Sequence, residues 1–141
     1  MTQQAPAKEN KSETFKGGFG SFSITDVPAA KDFYSEALGL VVTGSAEGLS
    51  IEIPGSGENL FLYHKENHKP ATFTVFNLVV DDVEKAVDEL SGRGIKFLQY
   101  GEPMNTNEKG IFRGAEKGSG PNIAWFEDPS GNILSVIERM D

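Results

Sequence analysis

The feature that most constrains this chain is a short phrase written twice. Ser23-Ile24-Thr25 meets Asp26 and passes into Val27-Pro28-Ala29-Ala30. Val79-Val80-Asp81 meets Asp82 and passes into Val83-Glu84-Lys85-Ala86 in the same way. Thr25 matches Asp81, Asp26 matches Asp82, Val27 matches Val83 and Ala30 matches Ala86, each 56 positions on (81 − 25). The sequels are alike too. Each copy has a Gly-bearing helix end, Leu38-Gly39-Leu40 or Gly92-Arg93-Gly94-Ile95, and then several short apolar runs. Repetition at a fixed offset points to one supersecondary module used twice.

Read in order, each copy has the same grammar. Phe19 to Thr25 alternates Phe19, Ser21 and Ser23 against Phe22 and Ile24, the period of a strand. Asp26 is placed to cap a helix, and Pro28 falls in its first turn, where a missing N–H costs little. Ala30, Phe33, Tyr34, Ala37 and Leu38 recur at helical spacing, and Gly39 ends the run. Three strands are expected next, Val41 to Thr43, Leu49 to Ile53 and Asn59 to Lys65, with a hairpin turn at Gly55-Ser56-Gly57-Glu58. Glu66 to Ala71 is a polar connection.

The second copy runs from the strand Thr72 to Val80 into a helix capped by Asp82, with Val83, Ala86, Val87 and Leu90 as its apolar stripe. A strand is expected over Ile95 to Tyr100, then a long polar segment from Gly101 to Gly120 in which Ile111-Phe112 makes a brief strand contact. A segment of that length without structure suits a lid or a floppy loop, and its glycines suit both. The strands Asn122 to Glu127 and Asn132 to Glu138 close the chain, joined at Asp128-Pro129-Ser130-Gly131.

Composition narrows the function classes. The chain has 141 residues, enough for one domain with a core. Residues 1–16 read as a polar, disordered tail, and residues 17–141 as a single domain with modules at 17–66 and 71–139. A net charge of −8 argues against nucleic acid or an anionic membrane as partner. No apolar run is long enough to span a bilayer, and no secretory h-region is visible, so a cytoplasmic location is expected. Without cysteine there is no thiolate metal site and no Cys nucleophile.

Asp26 through Phe33-Tyr34 with Leu38-Gly39-Leu40, Val80-Asp81-Asp82-Val83, and Ala124-Trp125-Phe126 leading into Asp128-Pro129 and Gly131-Asn132 together resemble the vicinal oxygen chelate superfamily. That group includes glyoxalases, extradiol dioxygenases and bleomycin-resistance proteins. The resemblance covers about residues 18 to 139. It implies an α+β fold of two βαβββ modules forming one curved mixed sheet around a cleft, in a homodimer. Fold alone does not supply a function.

Enzymes of this group usually hold one divalent metal on His and Glu side chains from four strands. Carried over position by position, those sites fall at Phe19, about Val75, Ser135, and Tyr63 or His64. Phe and Val offer no donor, a neutral hydroxyl is a poor one, and the only histidines are His64 and His68. Three or four ligands are needed, so no metal and no cofactor is expected.

Strand parity assigns a cleft wall instead: Phe19, Ser21 and Ser23 from the first module, Val75, Asn77 and Val79 from the second, and Ile133 and Ser135 from the last strand. Trp125 and Phe126 are adjacent on one strand, so one faces the cleft and the other the core, and the sequence does not say which. Tyr100 and Arg113 flank the long segment and could reach over the cleft mouth, where Arg113 would suit a carboxylate or phosphate. The expected ligand-binding residues are Phe19, Ser21, His64, Val75, Asn77, Arg113, Trp125 and Ser135. The leading expectation is metal-free binding or sequestration of a small, largely apolar or aromatic molecule. A lyase or dioxygenase with displaced metal ligands and a non-catalytic interaction domain are the alternatives.

Overall fold

The computed structural model describes residues 13–45 and 47–140. The expected tail lies outside these as far as residue 12, and residues 13–20 are exposed. In chain order the elements are β1 (Ser21–Ile24), α1 (Val27–Asp32), β2 (Val42–Ser45), β3 (Gly48–Glu52), β4 (Asn59–His64), β5 (Thr74–Val80), α2 (Val83–Gly92), β6 (Ile111–Arg113), β7 (Asn122–Glu127) and β8 (Ile133–Glu138). A π-helical turn over Phe33–Ala37 prolongs α1. Among the described residues no helix is long and apolar enough to cross a membrane.

The duplication is physical. Asp26 Oδ1 accepts the N–H of Ala29, and Asp82 Oδ1 accepts the N–H of Lys85. Each carboxylate satisfies a donor that the first helical turn leaves free. One sheet has the order β1-β4-β3-β2 and the other β5-β8-β7-β6. In both, the strand before the helix pairs parallel with the last strand of its set, and the other pairings are antiparallel.

The eight strands form two four-stranded mixed sheets, with β1 at an edge of one and β5 at an edge of the other. The reason lies in the core. Ile24, Leu49, Ile51, Leu60 and Leu62 from the first sheet and Ala124, Phe126, Leu134 and Val136 from the second belong to one buried cluster, with Val83, Val87 and Leu90 of α2. The helix-bearing sides of both sheets share that core. Phe33 and Phe126 meet across it, with ring centres 6.1 Å apart. Their opposite faces therefore remain open.

The strand expected over Ile95 to Tyr100 contracts to a single bridge, Phe97 to Phe126. It and β6 both flank β7, since Ile111 pairs with Ala124. Residues 99–110 are thus an excursion from what would otherwise be one strand. Gly110 closes it: a Cβ there would meet the Leu98 carbonyl at 2.8 Å, so only glycine lets the two ends touch. The segment is not structureless. Thr106 N–H donates to the Tyr100 carbonyl, Asn105 N–H to that of Gly101, and Gln99 to that of Glu108.

The β7–β8 turn binds the two halves together. Asp128 is buried, and its carboxylate accepts from the Tyr34 hydroxyl at 2.7 Å, the N–H groups of Ser130 and Asn132, and the Asn132 side-chain amide. That amide also donates to the Ser23 carbonyl, and Thr25 N–H donates to the Ser130 hydroxyl. His68 spans Ser23 Oγ and the Ser130 carbonyl. Burial and the neighbouring Asp128 charge and hydrogen bond raise the Tyr34 phenol well above its ordinary 10.0.

Tyr34→Phe removes one donor from a buried carboxylate and is expected to cost about 1.5–3 kcal/mol, read from urea unfolding. The pH dependence has a definite sign. Unfolded chains release the tyrosine proton near pH 10 and the folded chain holds it longer, so stability falls as pH rises above 10. That part of the alkaline loss is expected to be absent in the variant.

Candidate functional site

The open face of the first sheet is set by register. Ser21 pairs with Phe61, Ser23 with Tyr63, and Ser50 with Phe61 from the other side, while Leu49, Leu60 and Leu62 point to the core. Phe61 and Tyr63 stack, with ring centres 6.4 Å apart and planes 18° from parallel. Both stay 38% exposed, and Phe19 beside β1 is 69% exposed. A cavity of about 560 Å³ lies here, lined by Phe19, Ser50, Gly57, Glu58, Asn59 and Phe61.

The open face of the second sheet is more polar and better fixed. Asn77 pairs with Ser135, and Ser135 pairs with Trp125 on its other side. The fully buried Ser135 hydroxyl donates to Asn77 Oδ1 at 2.5 Å. Asn77 is exposed, and its NH₂ is the group left to offer a ligand. Trp125 donates its indole N–H to Thr74 Oγ1 at 3.1 Å. Tyr100, reaching back from the 99–110 segment, packs on Trp125 with ring centres 5.3 Å apart and planes at 89°. Glu127, two residues beyond Trp125 on β7, shares its face and is exposed. Partial burial, then the charge of Glu127, raise the Tyr100 phenol above its ordinary value.

The eight residues expected to bind a ligand therefore fall into three groups. Phe19 and Ser21 lie on the first open face; Asn77, Trp125 and Ser135 meet on the second. The remaining three lie elsewhere. His64 pairs with Ile24, a core residue, and so leaves the end of β4 toward the helix side. Val75 lies in a register shift between Thr74 and Phe76 and packs against the core cluster. The shift places Thr74 with Ile133, on the side of Trp125, and breaks the simple alternation that put Val75 there. Arg113 is on β6 and pairs with Glu84 of α2, away from the open face. Lys109 joins Glu84 and Asp88 on the same helix, pinning the 99–110 segment to α2. Of the pair left open, Phe126 is core and Trp125 faces outward.

Phe61, Tyr63, Thr74 and Glu127 were missed as lining residues. Two carried a readable signal: Leu60-Phe61-Leu62-Tyr63 alternates, so committing the leucines to the core sends both rings outward.

The donor chemistry does not fit a divalent ion. Phe19 and Val75 carry no donor, the Ser135 hydroxyl is engaged by Asn77, and Tyr63 and His64 leave β4 on opposite faces. Among the described residues no group of three His, Cys, Asp or Glu is placed to hold a metal.

A groove of about 670 Å³ also opens between the halves, where Leu38, Leu40 and Ile53 face the free edge of β5 and Leu90 of α2. Arg93 closes its rim, donating to the Ala37 carbonyl and to Glu89.

The family model for the glyoxalase/bleomycin resistance protein/dioxygenase superfamily matches residues 21–136. No curated protein matches the chain. Among solved structures it is similar to TnmS3, an antibiotic binding protein from Streptomyces sp. CB03234, with 23% identity, 89% of this chain and 97% of that chain covered, and a TM-score of 0.64. It is similar to an integron cassette protein from the mobile metagenome of the Halifax Harbour Sewage Outfall, with 17% identity, coverage of 89% and 100%, and a TM-score of 0.63. A member of the same superfamily from Sphaerobacter thermophilus DSM 20745 shares 23% identity over 88% and 98%, with a TM-score of 0.60. At these identities the likeness is one of fold.

The Asn77–Ser135 pair makes a double-mutant cycle informative. Asn77→Leu leaves a buried hydroxyl unpaired and is expected to cost about 1–3 kcal/mol. Ser135→Ala alone is expected to cost less, because Asn77 can turn to water. The double variant should be milder than the sum of the two, measured by urea unfolding.

Proposed function

We propose that this chain, which belongs to the glyoxalase/bleomycin resistance protein/dioxygenase superfamily, is a cytoplasmic binding protein that sequesters a small aromatic molecule without a metal. The observation that carries this reading is the side-chain set on the open faces. Where a metal enzyme of this fold needs three or four donors, the chain has Phe19, Val75 and an engaged Ser135. It has instead a stacked Phe61–Tyr63 pair, a fixed Trp125 and one amide aimed outward from Asn77. Aromatic walls with few, fixed polar groups are the usual make-up of a small-molecule site. That TnmS3 is an antibiotic binding protein accords with this reading. The net charge of −8 speaks against nucleic acid or an anionic membrane as partner.

The binding form is a homodimer. Val79 is an exposed apolar residue of β5 outside the ligand walls, and β1 and β5 are sheet edges. Free edges and uncovered apolar faces are what a second copy would cover.

N-phenyl-1-naphthylamine, an uncharged aromatic dye, tests the reading. Trp125 is the only tryptophan, so its fluorescence reports on the second open face directly. Saturable quenching of Trp125 with micromolar affinity is expected, and the dye's own fluorescence, which reads both faces, should show roughly tenfold weaker uptake at the first face for Phe61→Ser with Tyr63→Ser, as loss of two stacking rings predicts. Sedimentation should give twice the 15.3 kDa chain mass. Stoichiometric zinc, nickel, iron or manganese in protein purified without chelator, lost together with an activity, would overturn the proposal in favour of a lyase or dioxygenase.

A further inference from the structure

The corner made by Trp125, Tyr100 and Glu127 has a chemistry of its own. Two aromatic rings stand perpendicular and in contact, with centres 5.3 Å apart. Glu127 shares the face of Trp125, and its charge is felt at the Tyr100 phenol. Among the described residues Glu127 has no ion-pair partner. Of the neighbouring cations, Lys109 and Arg113 pair with α2 and Lys117 lies over the Phe112 ring, while Lys96, set across from Glu127 by the Phe97–Phe126 bridge, forms no ion pair with it. The indole N–H is spent on Thr74, and what the corner offers a ligand is π surface and one carboxylate outside any ion pair.

We propose that this corner receives the positively charged, alkylated amine of the bound ligand. The assignment rests on the binding reading above and narrows it from an aromatic molecule to an aromatic or apolar amine. The physics is direct. A cation over an indole or phenol face is attracted by the ring quadrupole, more strongly when it sheds water. An alkylated ammonium sheds water readily and has no need of the hydrogen bonds that two rings cannot give. Glu127 supplies the counter-charge at the corner's rim. The chain's charge of −8 raises the local concentration of cations over anions of equal size. Asn77, across β8 from Trp125, then holds a carbonyl or similar acceptor elsewhere on the ligand with its NH₂. A neutral hydrocarbon would fill the same space with neither attraction.

The test uses a matched pair of probes on the full chain. Benzyltrimethylammonium carries the charge, and neopentylbenzene is the same shape with carbon in place of nitrogen. Trp125 fluorescence reads both, since no other tryptophan contributes. The cation is expected to bind saturably and roughly tenfold more tightly than its neutral twin, and to weaken with added salt while the twin does not. Glu127→Gln and Tyr100→Leu, both at exposed side chains, are each expected to lower affinity for the cation severalfold and to narrow its advantage over the neutral twin. Circular dichroism checks that the variants fold. Equal binding of the two probes, or a cation affinity untouched by Glu127→Gln, overturns the assignment. If N-phenyl-1-naphthylamine quenches Trp125 and the cation does not, the cation assignment falls and the binding reading stands. If none of the three perturbs Trp125, both fall.

Discussion

The structure depends on how one buried carboxylate is satisfied. Burying a charge is expensive unless it is paired or fully hydrogen-bonded. Asp128 meets that demand with four donors, three from its own turn and one from Tyr34 in the other half of the chain. The three local bonds fix the β7–β8 turn. The fourth reaches 94 residues back and fastens the helix of the first half against the sheet of the second. Loss of the Tyr34 donor thus leaves the turn formed but its charge short of a partner. The bonds from Asn132 to Ser23 and from Thr25 to Ser130 tie the start of the first half to the same turn. His68 completes the join, a structural use of one of the chain's two histidines.

That join sets where the open faces can be. Once the helix sides of both sheets share a core, apolar residues on the opposite faces have nothing in the same half to cover them. Phe61, Tyr63 and Val79 stay exposed for this reason, although strand alternation would let polar residues stand there. The side chains kept on those faces are aromatic, amide, hydroxyl and carboxylate. They make a surface suited to holding a molecule, and they leave the core clean: among the described residues no buried side-chain polar atom lacks a partner.

Much of this was legible in the residues. The repeated phrase gives the two halves because Asp26 and Asp82 do the same job, accepting the N–H three residues on. Turn chemistry and alternation find β4, β7 and β8 to within a residue. The site was read less well, and the failures have physical causes. Val75 is displaced by a register shift, which sequence alternation cannot reveal: one extra residue inverts the faces on one side of it, so Asn77 and Val79 keep the expected face while Thr74 takes the one expected for Val75. Arg113 appears free when read as loop. It becomes bound once Ile111–Arg113 joins β7, because its face then looks at the acidic side of α2. By composition, the segment from Gly101 to Gly120 suited a lid or a floppy loop alike. Its order comes from Lys109 and from backbone bonds between residues distant by only a few positions, which composition does not encode.

The scaffold positions where the resemblance would place metal ligands carry other side chains here. A metal site concentrates charge at one point and needs its donors to converge. At the corresponding positions the chain places an exposed ring at Phe19, a core contact at Val75 and a buried hydroxyl at Ser135. The polarity that remains on the second face is distributed: a donor at Asn77, an aromatic corner at Trp125 and Tyr100, and a carboxylate at Glu127. Distributed polarity cannot polarise one bond strongly, as an ion does, but it can recognise a molecule at several separated points. None of these groups takes part in the Asp128 join, so the side chains of this face are set apart from the bonds that hold the two halves together. That independence allows side chains on the face to be exchanged while the fold beneath them stays the same.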